Sequence, residues 1–472
     1  MLVLGEAGHG KTTVALHRLA HLYATSKGRF RAACVVPSEG LVRLLQPIVT
    51  SLGADVTVET YDRFARRQAR RAFGDLPRRE GRSELAAVMR LKRDPALWPI
   101  LDELSRRPPG LIDDDEDAPP AATRAFAHRG DLQHLFGDRR LLERVVASSR
   151  QGLSQRAIEA TLEHTKVQFS LRSEAAHAHV DAERLVTVDA RSLDDGTPDE
   201  DGESVDVEDY AVLFELDRLR ALRAGRPATP LRRYDCLVLD EAQELAPLEC
   251  RLLGRSLAEH GTLVVAGDAD QQIDETSCFL GWNATMEALS AGAHERVTLS
   301  VGYRSPPEVI ALARAVRDGS AAASHHVPFV RFDDEPALGA WLIDELDRLE
   351  EDDPSATKCV VVRSAPLARR LAQALSGKVP RRLVLDGAFV FHRGVDITTV
   401  DQIKGLEFDH VVIADATAES YPDAPLARRA MYVALTRARH QAVLAAVGAP
   451  SPLLRELGPA RPPSTAALSP RP

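Results

Sequence analysis

Short apolar runs alternate with stretches of helical periodicity at both ends of this 472-residue chain, and the alternation lapses in the middle. Leu2 to Leu4, Ala32 to Val36, Cys236 to Leu239 and Leu263 to Ala266 read as buried strands. Cys359 to Val362, Asp396 to Val400, His410 to Ala414 and Ala442 to Val447 repeat the pattern toward the C-terminus. Helical stripes lie between them, such as Leu16, Leu19, Ala20 and Tyr23 within Thr12 to Tyr23. Strands separated by helices predict parallel α/β sheets. From about Phe64 to Thr229 the strand signal fades, and Arg-rich, Leu-containing helical stretches take over. The expected organisation is a first α/β unit in two pieces, 1–64 and 230–296, with a mainly helical insertion at 65–229. A second α/β unit follows at 297–458, then a Pro-, Ala- and Ser-rich tail at 459–472, expected to be disordered. Two acidic, turn-rich segments, Asp113 to Pro120 and Asp194 to Asp209, read as exposed loops.

Composition narrows the setting. A hydrophobic content of 44% is ordinary for a soluble globular chain, and no apolar run approaches membrane-spanning length, so no membrane partner is expected and a cytoplasmic location is. The five cysteines (34, 236, 250, 278 and 359) are widely spaced with no CxxC, which predicts buried core residues and not ligands or disulfides. A net charge of −9 argues against a uniformly basic nucleic-acid binder but permits a local basic groove. His9, His17 and the His325-His326 pair have no second ligand cluster beside them and are read as non-catalytic. Only seven of the 60 basic residues are lysines, so a lysine here has a reason; Lys11 and Lys404 are the two within recognisable motifs.

The first of those motifs opens the chain. Gly5-Glu-Ala-Gly-His-Gly-Lys-Thr-Thr13 has the GxxxxGK[ST] spacing of a phosphate-binding loop between a strand and a helix. Gly5, Gly8 and Gly10 let the backbone N–H groups wrap a polyphosphate, Lys11 reaches the outer phosphates, and the Thr12 hydroxyl can ligate Mg²⁺. Thr13 continues the loop into the helix. A second strand, within Tyr234-Asp-Cys-Leu-Val-Leu-Asp-Glu-Ala-Gln243, ends in two carboxylates. Asp240 is placed to hold Mg²⁺ and Glu241 to polarise the attacking water, which together predict ATP and Mg²⁺ as cofactors.

DEAQ together with GEAGHGKTT resembles the superfamily 1 helicases of the UvrD/Rep type, and further motifs of that family follow in order. Gly267-Asp-Ala-Asp-Gln-Gln-Ile273 is similar to the GDxxQ segment, implying that Gln271 senses the γ-phosphate. Val301-Gly-Tyr-Arg-Ser305 resembles NYRS, implying Tyr303 against adenine and Arg304 on the γ-phosphate. Asp401-Gln-Ile-Lys-Gly-Leu-Glu-Phe-Asp409 resembles the KGLEF segment, which implies Gly405 near the ribose and Glu407 at the nucleic-acid channel. Ala430-Met-Tyr-Val-Ala-Leu-Thr-Arg-Ala438 resembles YVALTRA, which makes Arg437 a second arginine on the γ-phosphate. The resemblance covers 1–60 and 230–447. It implies two RecA-like P-loop cores, ATP hydrolysis between them, and translocation on single-stranded DNA in the 3′ to 5′ direction at the nucleoid.

Ala15-Leu-His-Arg18 and Pro37 to Leu52 look most like the helicase IV (HelD-type) branch, some members of which bind and release RNA polymerase without unwinding DNA. Departures from the family pattern keep that alternative open. No YxWRGA follows Gln271, so Phe279 or Trp282 is left either as a base-stacking substitute or as core. Val-Val-Pro-Ser-Glu39 stands where a Thr-containing DNA contact is expected, and no large insertion separates Arg304 from Lys404. The resemblance also implies an adenine-recognition segment and an N-terminal arm ahead of the first strand, which this sequence does not carry; an inactive helicase fragment is therefore a third alternative. Finally, Arg63, Arg66, Arg67, Arg70 and Arg71 fall on one helical face, either as a phosphate-binding stripe or as a solvated one neutralised by the acidic loops.

Overall fold

A computed structural model describes residues 1–26, 30–74, 76–77, 79–80, 85–109, 127–169, 204–302, 305–320 and 327–457. The apolar runs become two six-stranded sheets, each wholly parallel. The first contains β1 (Leu2–Leu4), β2 (Ala32–Val36), β3 (Thr57–Thr60), β6 (Tyr234–Leu239), β7 (Leu257–Gly267) and β8 (Arg296–Thr298), in the order β3-β2-β6-β7-β1-β8. The second contains β9 (Phe329–Phe332), β10 (Lys358–Val362), β11 (Arg381–Val384), β12 (Val395–Thr399), β13 (Phe408–Ile413) and β14 (Ala438–Val447), in the order β11-β12-β10-β13-β14-β9. A two-residue pair, β4 (Arg79–Glu80) with β5 (Ser204–Val205), lies outside both sheets.

Parallel strands are covered by helices on both faces and must be apolar throughout, which is why β2, β6 and β10 read as continuous hydrophobic runs. One buried apolar cluster crosses between the sheets: Val3, Leu16 and Leu41 of the first share it with Phe389, Leu406 and Tyr432 of the second. The approach is close. A Cβ on Gly40 would stand 3.0 Å from both Leu406 and Phe389, so any larger residue would require those second-core side chains to shift.

Between β3 and β6 the described chain is helical apart from the short strands β4 and β5, from Tyr61–Ala72 through Val207–Arg223. Its polar centre is Lys92, fully buried, whose Nζ contacts Asp206 at 2.7 Å and Asp209 at 2.8 Å. His164 and Gln168 complete the set, bonding Asp206 and Asp209 respectively. Asp206 caps the helix Val207–Arg223, with Asp209 bonding back to the Asp206 N–H. This corrects the reading of Asp194 to Asp209 as an exposed loop: its end, Asp206 to Asp209, is a helix start held down by a buried ammonium. Ser204 and Val205 of that segment are the buried strand β5; residues 194–203, all of Asp113 to Pro120, the 459–472 tail and the His325-His326 pair lie outside the described residues.

The arginine stripe is divided by its neighbours. Arg67 contacts Glu59 at 2.5 Å and also reaches Tyr234, while Arg63 pairs with Glu39 at 2.9 Å. Among the described residues, Glu39 and Glu59, the carboxylates that pair with Arg63 and Arg67, belong to the first core. All five cysteines are buried. No helix among the described residues is long and apolar enough to cross a membrane.

Candidate nucleotide site between two cores

Strand β1 ends in the glycine-rich loop, and the helix Lys11–Thr25 starts directly after it. Gly10, at φ +80°, turns the chain into that helix without a side-chain cap, so the first-turn N–H groups face the loop as an anion cradle. Gly5 carries a steric demand instead: a Cβ there would lie 2.9 Å from the Leu299 carbonyl oxygen. Gly8 is also at positive φ, and Thr13 is exposed in the first helical turn. Lys11 is buried and folds back, donating to the carbonyls of Gly5 (2.8 Å) and Glu6 (3.0 Å).

The two acids sit across from this loop because β6 and β1 flank β7 and all three run parallel. The Thr12 hydroxyl donates to Asp240 Oδ2 at 2.8 Å. Asp240 Oδ1 is buried without a hydrogen-bond partner. Burial first, and the neighbouring Glu241 second, push the Asp240 carboxyl up to about 7. A hydroxyl beside an unsatisfied buried carboxylate oxygen is an oxygen donor set suited to Mg²⁺, whose charge would offset the desolvation. Glu241 adopts a left-handed backbone (φ 51°), a conformation a non-glycine residue holds only when its surroundings impose it. Gln243 Nε2 donates to Glu241 Oε2 at 2.5 Å, and its Oε1 accepts from the Asp268 N–H at 3.1 Å. The carboxylate is thus fixed to the end of β7.

That strand end carries Gln271, which donates to Asp268 Oδ2 at 2.7 Å and accepts from Arg437 Nη2 at 2.5 Å. Arg437 arrives from the second core, immediately before β14, and is anchored by the carbonyls of Val433 and Leu406. Gly405 is also at the junction: a Cβ there would stand 3.3 Å from Glu241 Cγ and 2.9 Å from Leu41. Glu407 is half-buried two residues on. Tyr303 and Arg304 lie outside the described residues. The structure thus brings Lys11, Thr12, Asp240, Glu241, Gln271, Gly405 and Arg437 to one junction.

Several contacts here were not foreseen from the sequence. Glu6, a free position of the loop motif, is held by Arg314 (2.6 Å) and Arg317 (3.0 Å) of the second-core helix Pro307–Asp318. Lys404 donates to the buried Glu244 at 2.9 Å, and Arg429 to Gln272 at 2.7 Å, both across the same seam. The Gln243 bridge was legible in principle, since it is the last letter of DEAQ. Arg314 and Arg317 stand in no motif. Trp282 packs over Gly267 and against Phe279, with ring centroids 5.1 Å apart, which puts it in the strand-end packing.

The Asp240 environment has a consequence for stability. Its folded pKa lies above the unfolded value of about 3.9, so its contribution is fully present below that value and is lost as pH rises through about 7. In chelator, the wild-type melting temperature is expected to fall more steeply between pH 5 and 8 than that of Asp240→Asn, by a few degrees, with Mg²⁺ and nucleotide reversing the loss. Parallel melting curves for the two proteins would refute the assignment.

With this geometry in hand, the comparisons with known proteins are specific. Residues 1–277 match the AAA domain family, and residues 394–445 match the UvrD-like helicase C-terminal domain. The chain belongs to the AAA domain family, and the two matches together support a superfamily 1 helicase of the UvrD/Rep type. It is an ATP-hydrolysing enzyme of the helicase type built on two RecA-like cores. No curated protein matches the sequence. A similar solved structure is the C-terminal domain of a possible DNA helicase from Lactobacillus plantarum WCFS1, at 24% identity over 34% of this chain and 98% of that one, with a TM-score of 0.29.

Proposed function

We propose that the protein is an ATP-driven translocase on single-stranded DNA, moving 3′ to 5′, with residues 65–229 as its inserted helical unit. The observation that carries the motor reading is the Arg437–Gln271 contact, which joins the second core to the first at the nucleotide site. In this reading Lys11 and the loop glycines Gly5, Gly8 and Gly10 hold the ATP phosphates, Thr12 and Asp240 hold Mg²⁺, and Glu241 accepts the proton of the attacking water. The cation supplies charge neutralisation on the phosphates when bound. Gln271 and Arg437 address the γ-phosphoryl group, with Arg304 joining them and Tyr303 stacking on the base. Hydrolysis removes the group both cores grip, so their relative position changes once per cycle.

The DNA path in this proposal is a cleft of ≈ 820 Å³ lined by Ser38 and Arg63 of the first core, Arg66 and Arg93 of the insertion, and Gln402 and Lys404 of the second core. Its carboxylates outnumber its cations, with Glu39, Glu208, Asp274 and Asp386 among them. That balance favours a second reading, an ATPase that remodels a protein partner such as RNA polymerase, because an acidic cleft attracts phosphate backbones poorly.

Steady-state ATP hydrolysis with and without single-stranded DNA separates the two. The motor reading expects several-fold stimulation that fades between 50 and 200 mM salt, to the extent that about two or more phosphates are contacted. Turnover that ignores single-stranded DNA would overturn it in favour of protein remodelling.

A further inference from the structure

Among the described residues, one place away from the nucleotide site brings three metal-binding side chains together. Asp353 follows the helix Glu335–Asp352, His410 lies on β13 and His440 on β14, and their ligand atoms all fall within 4.8 Å of one another. We propose that Asp353, His410 and His440 form a site for a first-row transition dication of the Zn²⁺ class, separate from the Mg²⁺ position at Asp240.

Three independent features support it. The ladder between β13 and β14 slips at this point: Phe408 pairs with Ala438, but His410 pairs with Gln441. Arg439 and His440 together therefore oppose the single residue Asp409, a bulge that re-aims a side chain which strict alternation would place elsewhere. His410 Nδ1 is buried and makes no hydrogen bond, a costly state for an imidazole nitrogen in the absence of a ligand. Asp353 is pre-oriented, since its Oδ1 accepts from the Ser355 hydroxyl at 2.8 Å and from the Ala356 N–H at 3.1 Å.

Two imidazoles and one carboxylate with a fourth, solvent-facing position suit tetrahedral Zn²⁺. Tetrahedral ligands at zinc–nitrogen distances of about 2.0–2.1 Å lie roughly 3.4 Å apart, so the group must contract by about an ångström. His440 can supply that movement, its side chain being 56% exposed and its Nδ1 3.8 Å from the Asp409 carboxylate. The charges facing the site are balanced. The Lys358 ammonium is tied to Glu350 at 2.9 Å and to the Asp353 carbonyl, and Arg439 lies 3.3 Å from Asp409. An ion here would join the end of a helix to two strands, three residues beyond Arg437.

The test uses the full chain after chelator treatment, titrated with Co²⁺ and followed by visible absorption. The expected result is the intense band of tetrahedral Co²⁺, saturating near one equivalent and bleached by Zn²⁺. Zn²⁺ should also raise the melting temperature by several degrees. Both effects should vanish in His440→Ala, whose exposed side chain can be removed without opening the core, and in Asp353→Asn. Asp240→Asn should leave the band in place, because that oxygen site favours six-coordinate, weakly absorbing Co²⁺. Absence of the band, or its survival in His440→Ala, would overturn the proposal.

Discussion

Glu241→Gln is expected to bind ATP within a few-fold of the wild-type affinity and to hydrolyse it roughly 10²–10⁴ times more slowly, the range by which a positioned general base accelerates proton transfer. The change removes the proton acceptor and little else. Glutamine is isosteric, it tolerates the left-handed backbone at this position about as poorly as glutamate does, and its carbonyl oxygen can still accept from Gln243. The groups proposed to hold the phosphates and Mg²⁺ are elsewhere: Lys11 on the loop, and Thr12 bonded to Asp240. Nucleotide affinity by fluorescence titration, set beside single-turnover hydrolysis, distinguishes binding from chemistry. Turnover near the wild-type rate would place the base on another residue. A parallel loss of affinity and rate would mean that Glu241 organises the cleft instead of acting on water.

The sequence revealed the sheets unevenly, and for a physical reason. All eight apolar runs read as strands are interior strands, β1, β2, β6 and β7 of the first sheet and β10, β12, β13 and β14 of the second. The four strands of the two sheets that escaped notice, β3, β8, β9 and β11, are the four edges. An interior parallel strand is buried on both faces and flanks and so is written almost entirely in apolar residues, whereas an edge strand is covered on one flank only. Arg296–Thr298 has no fully buried residue, and Arg381–Val384 carries two arginines.

The site divided in the same way. Residues that stand in contiguous motifs, Lys11, Thr12, Asp240 and Glu241, were legible from their neighbours. Residues fixed by a partner far along the chain were not. Arg314 and Arg317 acquire their meaning from Glu6, about 300 residues earlier, and Lys404 from Glu244. The rarity of lysine was a sound clue whose reach was underestimated. Lys92 and Lys358 are each only 1% exposed, surrounded by carboxylate and amide or carbonyl oxygens where a compact ammonium fits better than a planar guanidinium.

Arg437→Ala is expected to lower the hydrolysis rate by roughly 10³–10⁵, the contribution of an arginine that stabilises charge on a transferring phosphoryl group, with ATP affinity changed only several-fold. The asymmetry follows from position. Arg437 belongs to the second core and, among the described residues, its hydrogen bond to the first is to Gln271, so the cradle proposed at Lys11, Thr12 and Asp240 does not include it. Its guanidinium is also held by the Val433 and Leu406 carbonyls, which fixes its direction before any nucleotide arrives and means that truncation leaves buried acceptors unpaired. Arg437→Lys separates the two effects. A lysine keeps the charge but cannot serve Gln271, the two carbonyls and a phosphoryl oxygen from one planar fork, so its rate should stay within about tenfold of the alanine variant while its stability recovers. Melting temperatures alongside single-turnover rates make the comparison. A lysine variant that hydrolysed ATP at near wild-type speed would reduce Arg437 to a buried strut between the cores and would remove the structural basis for coupling hydrolysis to their motion.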